Sequence, residues 1–255
     1  MADYLVMRLY GPLASWGEIA VGESRHSAVH PSKSALIGLL GAALGIKRDD
    51  DTGQATLIAG YRFGVKLVSV GTPLRDYHTI QAPEQQRKIR YRTRRQELAD
   101  PTRVGTLLSA REYRCDSIAL VAVEALSGAP ASLSALDHAL RHPVFPLYLG
   151  RKSCPLAVPL SPQQVGGVTL RSALDDTPQY SLFSLLNTTG EHAWPTREDR
   201  IGFRLSAARY YWESGMDAGM EASFHTDRHD QPLSRLRWQF APRQESVFLA
   251  AEESR

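Results

Sequence analysis

The sequence predicts an α+β fold, and three observations carry the prediction. Segments rich in β-branched and aromatic residues alternate along the chain with two segments of helical character. Hydrophobic residues make up 43% and charged residues 22%, the balance of a chain that buries a core, which excludes wholesale disorder. The length, 255 residues, suits one large domain or two small ones at about 150 residues per domain.

The elements follow in order. Tyr4–Tyr10 (Y-L-V-M-R-L-Y) reads as a strand, and Gly11-Pro12 stops it. Alternation puts Leu5, Met7 and Leu9 on a core face, and Tyr4, Val6, Arg8 and Tyr10 on a mixed face, as an open sheet surface would be. Residues 11–31 read as a loop rich in Gly, His and Pro that contains Trp16. A helix is predicted over Ser34–Leu44, started at Pro31-Ser32 and stopped by Gly45. Gly38 and Gly41 within it would let the helix approach a sheet closely. Tyr61–Val70 is a second strand, Arg75–Arg114 a long basic excursion, Ile118–Ala125 a buried strand, and Leu133–Leu140 a short helix capped by Ser132 or Ser134. Leu147–Leu156 contains the loop Gly150-Arg151-Lys152-Ser153. Beyond it the chain is less periodic, with strands expected near Phe203–Trp212 and Ser246–Ala250. The order is close to the β-α-β-β-α-β ferredoxin-like plan, which also underlies RNA-recognition modules. The aromatic signature of those modules is absent; Arg62-Phe63-Gly64 matches it only superficially.

Several function classes drop out on composition. The longest apolar stretch, Ala35–Leu44, is about half of a membrane span. The N-terminus lacks a basic region followed by an apolar one, so secretion by a standard signal is not expected, and a soluble cytoplasmic chain is. Cys115 and Cys154 form no C-x-x-C and no metal-ligand spacing, and read as small buried residues or plain thiols. His26/His30 and His225/His229 are each four apart, as in a helical two-His ligand set. Pro31 follows the first pair and no third ligand supports either, so no metal and no cofactor are expected.

The net charge of +3 says little, but its distribution says more. Between Arg62 and Arg114 there are twelve Lys and Arg against five Asp and Glu. Within Arg87–Arg95 (R-K-I-R-Y-R-T-R-R) there are six cations, one tyrosine and no anion, the pattern of a nucleic-acid patch. If this run is extended, Lys88, Arg90, Arg92 and Arg94 form one wholly cationic face, with Arg87 and Arg95 on the other. Arginine outnumbers lysine 25 to 5, and guanidinium suits phosphate and base stacking. High-GC codon usage is the better account of that ratio, but it does not explain the clustering.

Six segments carry a resemblance to a known family. They are Leu5–Gly17, Ser34–Asp50, Leu74–Ile80 (L-R-D-Y-H-T-I), Arg111–Asp116 (R-E-Y-R-C-D), Tyr148–Leu156 (Y-L-G-R-K-S-C-P-L) and the D-Q-P and Q-F-A-P-R pieces within Asp230–Arg243. In this order and spacing the sequence resembles the CasD family of the RAMP superfamily, the subunits that hold the crRNA 5′ handle in type I-E CRISPR Cascade. The resemblance implies a ferredoxin-like/RNA-recognition-motif fold (βαββαβ) with a long basic β-hairpin thumb and an extended C-terminal region. It implies a single RNA-recognition-like domain over 1–255, a thumb insertion at 81–109, and a C-terminal extension over 160–255 packed on the same domain. It implies a non-catalytic role in antiviral defence, with the crRNA 5′ handle, the backbone subunit CasC, the large subunit CasA and, through the assembled complex, target DNA as partners, and no membrane. The excursion is longer and more basic than the family pattern, and the stretch between about Tyr180 and Ala222 is also longer.

A single-stranded handle needs cations for phosphates, flat side chains for bases, and backbone donors. Lys33 and Ser34 stand at a helix N-terminus that favours a phosphate, or else form a solvated first turn. Gly150, Arg151, Lys152 and Ser153 combine backbone freedom, two cations and a hydroxyl. Arg75, Tyr77 and His78 open the thumb, and Arg111, Tyr113 and Arg114 close it, so a hairpin would bring guanidiniums beside aromatic rings at its base. Trp16 stacks on a base or caps the core. The competing reading is a metal-independent endoribonuclease that processes repeat RNA, with Tyr77, His78 and Lys88 as base, acid and electrostatic stabiliser. The adjacent Lys-His pair of such nucleases does not occur in the chain.

Overall fold

Nine residues at the N-terminus, A-D-Y-L-V-M-R-L-Y, form an interior strand because most of their side chains suit the two faces of a buried sheet. The computed structural model describes residues 1–20, 22–83, 90–177, 208–235 and 237–250. Strand β1 (Ala2–Tyr10) is followed by four two-residue strands, β2 (Leu13–Ala14), β3 (Trp16–Gly17), β4 (Ser24–Arg25) and β5 (Ser27–Ala28). Helices α1 (Lys33–Leu44) and α2 (Asp51–Gly60) lead to β6 (Tyr61–Ser69). Then come β7 (Thr72–Pro83), a one-turn helix α3 (Arg94–Glu97), a 3₁₀ turn (Pro101–Arg103) and β8 (Val104–Cys115). The chain continues through β9 (Ile118–Ala125), α4 (Leu133–Arg141), β10 (Gln163–Val168) and α5 (Leu170–Asp176). It ends with β11 (Arg209–Glu213), β12 (Phe224–Ser234) and β13 (Gln239–Leu249).

The main sheet has the order β10-β1-β9-β6-β11-β13-β12, and every neighbouring pair is antiparallel. Leu5, Met7 and Leu9 face the larger core with Leu36 and Leu40 of α1, Leu57 of α2 and Leu136 and Leu140 of α4. Ser32 caps α1 by accepting the Ala35 N–H at 3.2 Å, and Gly45 ends it in the left-handed conformation.

The opposite face corrects the open-sheet expectation. Tyr4 and Val6 are fully buried in a second core with Leu170, Ala173 and Leu174 of α5 and with Met216 and Ala218. Arg8 is buried too, its guanidinium donating to the Pro159 carbonyl at 3.0 Å. An open surface for reading bases, the RNA-recognition-module arrangement, is therefore excluded over β1. The glycine that admits a helix to the sheet is Gly64, where a Cβ would lie 2.4 Å from Leu170 Cδ1. Gly38 and Gly41, predicted for that role, instead face the Arg235 guanidinium and helix α2.

A hairpin leaves this body. Strands β7 and β8 pair without interruption from Thr72↔Cys115 to Pro83↔Val104, so the paired excursion begins at Thr72 rather than Gln81. At its base, the other edge of β8 takes β2 antiparallel (Ala14↔Arg114) and β4 parallel (Arg25↔Arg111). Most of β7 and the outer half of β8 are exposed. Among the described residues no helix is long and apolar enough to cross a membrane.

Candidate nucleic-acid interface

Alternation divides the residues predicted to meet at the hairpin base. Arg75 lies opposite Glu112 and Tyr77 opposite Ala110, with Arg114 on the same face. Asp76 lies opposite Arg111 and His78 opposite Ser109, and these share the other face with Tyr113. One constellation of all six is thus corrected to two faces, each with a guanidinium and an aromatic ring. Tyr113 is buried at the base, and the Arg151 guanidinium lies 5.1 Å from its ring centroid. Tyr77 is exposed. His78 and Asp76 pair at 3.1 Å.

The Gly150 loop is held by Leu149, whose N–H donates to Cys154 O at 2.8 Å and whose carbonyl accepts the Ser15 N–H at 3.1 Å. Gly150 has φ +83, and a Cβ there would lie 1.9 Å from Ser15 O. The loop needs glycine in order to pack on the protein's own backbone. Arg151 Nη1 is buried without a hydrogen-bond partner, while Lys152 and Ser153 are exposed. Arg75, Arg111, Arg114, Arg151 and Lys152 have no ion-pair partner among the described residues.

Three other predicted residues belong elsewhere. Lys33 is buried, its ammonium 2.6 Å from Glu213 Oε2 and its backbone N–H donated to Asp230 Oδ2 at 2.8 Å. It offers no charge to a phosphate, because Glu213 already neutralises it. Trp16 is 3% exposed, packed in the core beneath the Gly150 loop, and cannot stack on a base there. The extended cationic face is also corrected. Thr93 caps α3 by accepting the Gln96 N–H, so Arg94 and Arg95 lie in a helical turn. Arg94 pairs with Glu97 at 2.6 Å, whereas Arg90, Arg92 and Arg95 are exposed. Arg87 and Lys88 lie outside the described residues. Ser34 stays at the site, on the wall of a cleft of about 1380 Å³ that Gly150 and Arg25 also line. That cleft joins the helix start, the glycine loop and the hairpin base.

Sequence reasoning missed the C-terminal part of the lining, which carries Arg228, Arg235, Trp238 and Phe240 together with Asp227 and Asp230. The signal was the run S-R-L-R-W-Q-F from Ser234 to Phe240, cations interleaved with aromatics. His26, His30 and His225 have separate structural partners. His26 pairs with Glu112 at 3.2 Å. His225 and His229 lie on a strand, where a spacing of four is not a helical face.

Behind the cleft lies a buried network. His30 stacks on Tyr211 with centroids 3.6 Å apart, and its Nε2 lies 3.0 Å from Glu245 Oε2. Arg243 bridges Asp230 at 2.6 Å and Glu245 at 2.7 Å, and Arg228 lies 3.6 Å from Glu245. Burial holds the His30 imidazole below its usual value of 6.5, with Arg228 and Arg243 pushing the same way against Glu245. A neutral histidine that gains a proton on unfolding makes stability fall as pH drops below about 6.5. Burial raises the Glu245 pKa, but His30, Arg228 and Arg243 outweigh this and hold it to about 2. Its contribution is present above about pH 4.5 and is lost as pH falls through about 2. The melting temperature is therefore expected to fall between pH 7 and pH 5, and His30→Gln is expected to flatten that interval. An equal fall in the variant would trace the effect to another group.

Comparison with known proteins agrees with this architecture. The family described as CRISPR-associated protein (Cas_Cas5) matches residues 4–245. The chain is 37% identical over 170 residues to the CRISPR system Cascade subunit CasD of Escherichia coli (strain K12), covering 63% of this chain and 70% of that protein. A chain of a solved CRISPR RNA-guided surveillance complex is similar in fold at a TM-score of 0.60 and 22% identity, over 97% of this chain and 90% of that one. A second solved structure, described as a Cas protein, gives a TM-score of 0.54 at 25% identity, over 96% of this chain and 94% of that one. With the family pattern running through nearly the whole described sheet and hairpin, the chain belongs to the Cas5 family of CRISPR-associated proteins.

Proposed function

We propose that this chain is the subunit that holds the crRNA 5′ handle in a type I-E CRISPR Cascade complex, capping the backbone subunit CasC beside the large subunit CasA. In this reading the core is ferredoxin-like. Strands β10, β1, β9 and β6, connected through α1 and α4 on one face, have the 4-1-3-2 order and antiparallel sense that the plan requires. The hairpin acts as a thumb, and RNA is gripped at its base and in the adjoining cleft rather than on the sheet. The observation that carries the reading is the set of cations without ion-pair partners among the described residues, Arg75, Arg111, Arg114, Arg151 and Lys152, placed about that base beside Tyr77 and Tyr113. The likeness to CasD supports the same conclusion.

The protein acts by binding. Tyr77 and His78 are neighbours on β7 and point to opposite faces, so they do not converge on one scissile phosphate. Titration of end-labelled repeat RNA in EDTA, run on native and denaturing gels, is expected to show shifted but intact RNA. Cleaved RNA would replace this reading with repeat processing. The double variant Arg151→Ala/Lys152→Ala is expected to weaken binding and to lower the slope of log K against log salt by about one to two phosphates. An unchanged slope would remove the loop from the interface.

A further inference from the structure

We propose that Trp238, with Arg48 and Arg235, forms a stacking subsite for one unpaired RNA nucleotide at the mouth of the cleft; this deepens, and rests on, the RNA-binding reading. Trp238 sits in the turn between β12 and β13 with φ +53, a left-handed conformation uncommon for a bulky residue. Its indole is 60% exposed although it lines the cleft, and Phe240 lies beside it with ring centroids 6.3 Å apart. The Arg48 guanidinium covers the ring at 3.8 Å from its centroid.

Two cations meet here. Neither Arg48 nor Arg235 has an ion-pair partner among the described residues. The carboxylates that follow Arg48 in sequence are engaged elsewhere at two of three positions: Asp50 accepts the Gly53 N–H, and Asp51 accepts the Ser234 hydroxyl. The Arg235 side chain runs over Gly38 and donates to the Ser34 carbonyl, and its Nε is buried with no partner. Burial first, and then the nearby Arg48 guanidinium, disfavour the charge of Arg235.

The ligand chemistry follows from those groups. A flat π surface beside two uncompensated guanidiniums calls for a ring and an anion in one molecule, and a nucleotide supplies both. Its base stacks on the aromatic platform while its phosphate lies between the guanidiniums. Ser34 and Gly150 line the same cleft as Trp238, so a strand gripped at the Gly150 loop reaches this platform continuously.

The test uses the full chain and fluorescein-labelled single-stranded repeat RNA, followed by anisotropy across a salt series. Trp238→Ala is expected to weaken binding roughly 5- to 100-fold with little change in salt slope, as for a lost base stack. Trp238→Phe is expected to restore most of the affinity. Arg48→Gln with Arg235→Gln is expected to lower the salt slope by about one to two phosphates. Wild-type affinity in Trp238→Ala, while Arg151→Ala/Lys152→Ala is impaired, overturns the subsite and leaves the handle-binding reading intact. Absence of RNA binding by the unmodified chain overturns that reading itself. Unchanged RNA affinity with failed assembly onto the other Cascade subunits makes Trp238 a protein contact and also overturns the subsite.

Discussion

Replacing Lys33 by methionine is expected to destabilise the chain by about 3–5 kcal/mol, because it strands the buried Glu213 carboxylate without its cation. Glu213 Oε2 accepts from the Lys33 ammonium at 2.6 Å, and its other oxygen accepts the Phe63 N–H at 3.1 Å. Lys33 and Glu213 are both nearly inaccessible to solvent, so water cannot take over the lost contact. The double variant Lys33→Met/Glu213→Gln is expected to recover most of the loss, since glutamine keeps the acceptor for Phe63 and removes the unpaired charge. Urea unfolding of wild type, both single variants and the double variant measures this coupling. A phosphate-binding Lys33 predicts the reverse pattern: stability unchanged, RNA affinity reduced, and no rescue by the second substitution.

Gly150→Ala is expected to be the most damaging conservative change at the interface. Two costs combine there. A non-glycine residue in a left-handed conformation is strained by about 1–3 kcal/mol, and the new methyl lies 1.9 Å from the Ser15 carbonyl oxygen. That oxygen is backbone, so no rotamer change relieves the contact. The loop must lift from the 15–16 segment, breaking the bond between the Ser15 N–H and Leu149 O and moving Arg151 off the Tyr113 ring. Both stability and RNA affinity are expected to fall. Gly128→Ala provides the comparison: Gly128 also has positive φ, but a Cβ there meets nothing within 4 Å. Its cost is limited to the backbone term of about 1–2 kcal/mol. Equal melting temperatures for the two variants would mean that the close approach at Gly150 is not rigid.

The regular elements of the first half were legible because their signals are local. The strand at Ile118–Ala125 is bounded as alternation and composition imply, and α1 carries its serine cap and glycine stop in the sequence. Helix α2 escaped because its buried residues are few, Gln54, Leu57 and Gly60, and two glycines dilute the helical pattern. Helix α5 escaped because seven residues are too short for periodicity to register. The whole-chain order of motifs did more than any one segment, and it reached the family that the comparisons also identify.

The site was half legible for a related reason. Sequence determined residue type and strand alternation, and so located the basic hairpin, its aromatic companions and the Gly150 loop. Charge and propensity are properties of a residue and its neighbours, and a sequence carries them directly. Only the tertiary structure decided which cations have no partner. Lys33 looked available until Glu213, 180 residues away, proved to lie against it. Trp16 reads from sequence as a base platform or a core cap, and the loop at Gly150 covering it decides for the core, whereas Trp238 is brought to the mouth of the same cleft only by the β12–β13 turn. Ion pairing and burial depend on distances between remote parts of the chain, and those distances are set by how the sheet and helices pack.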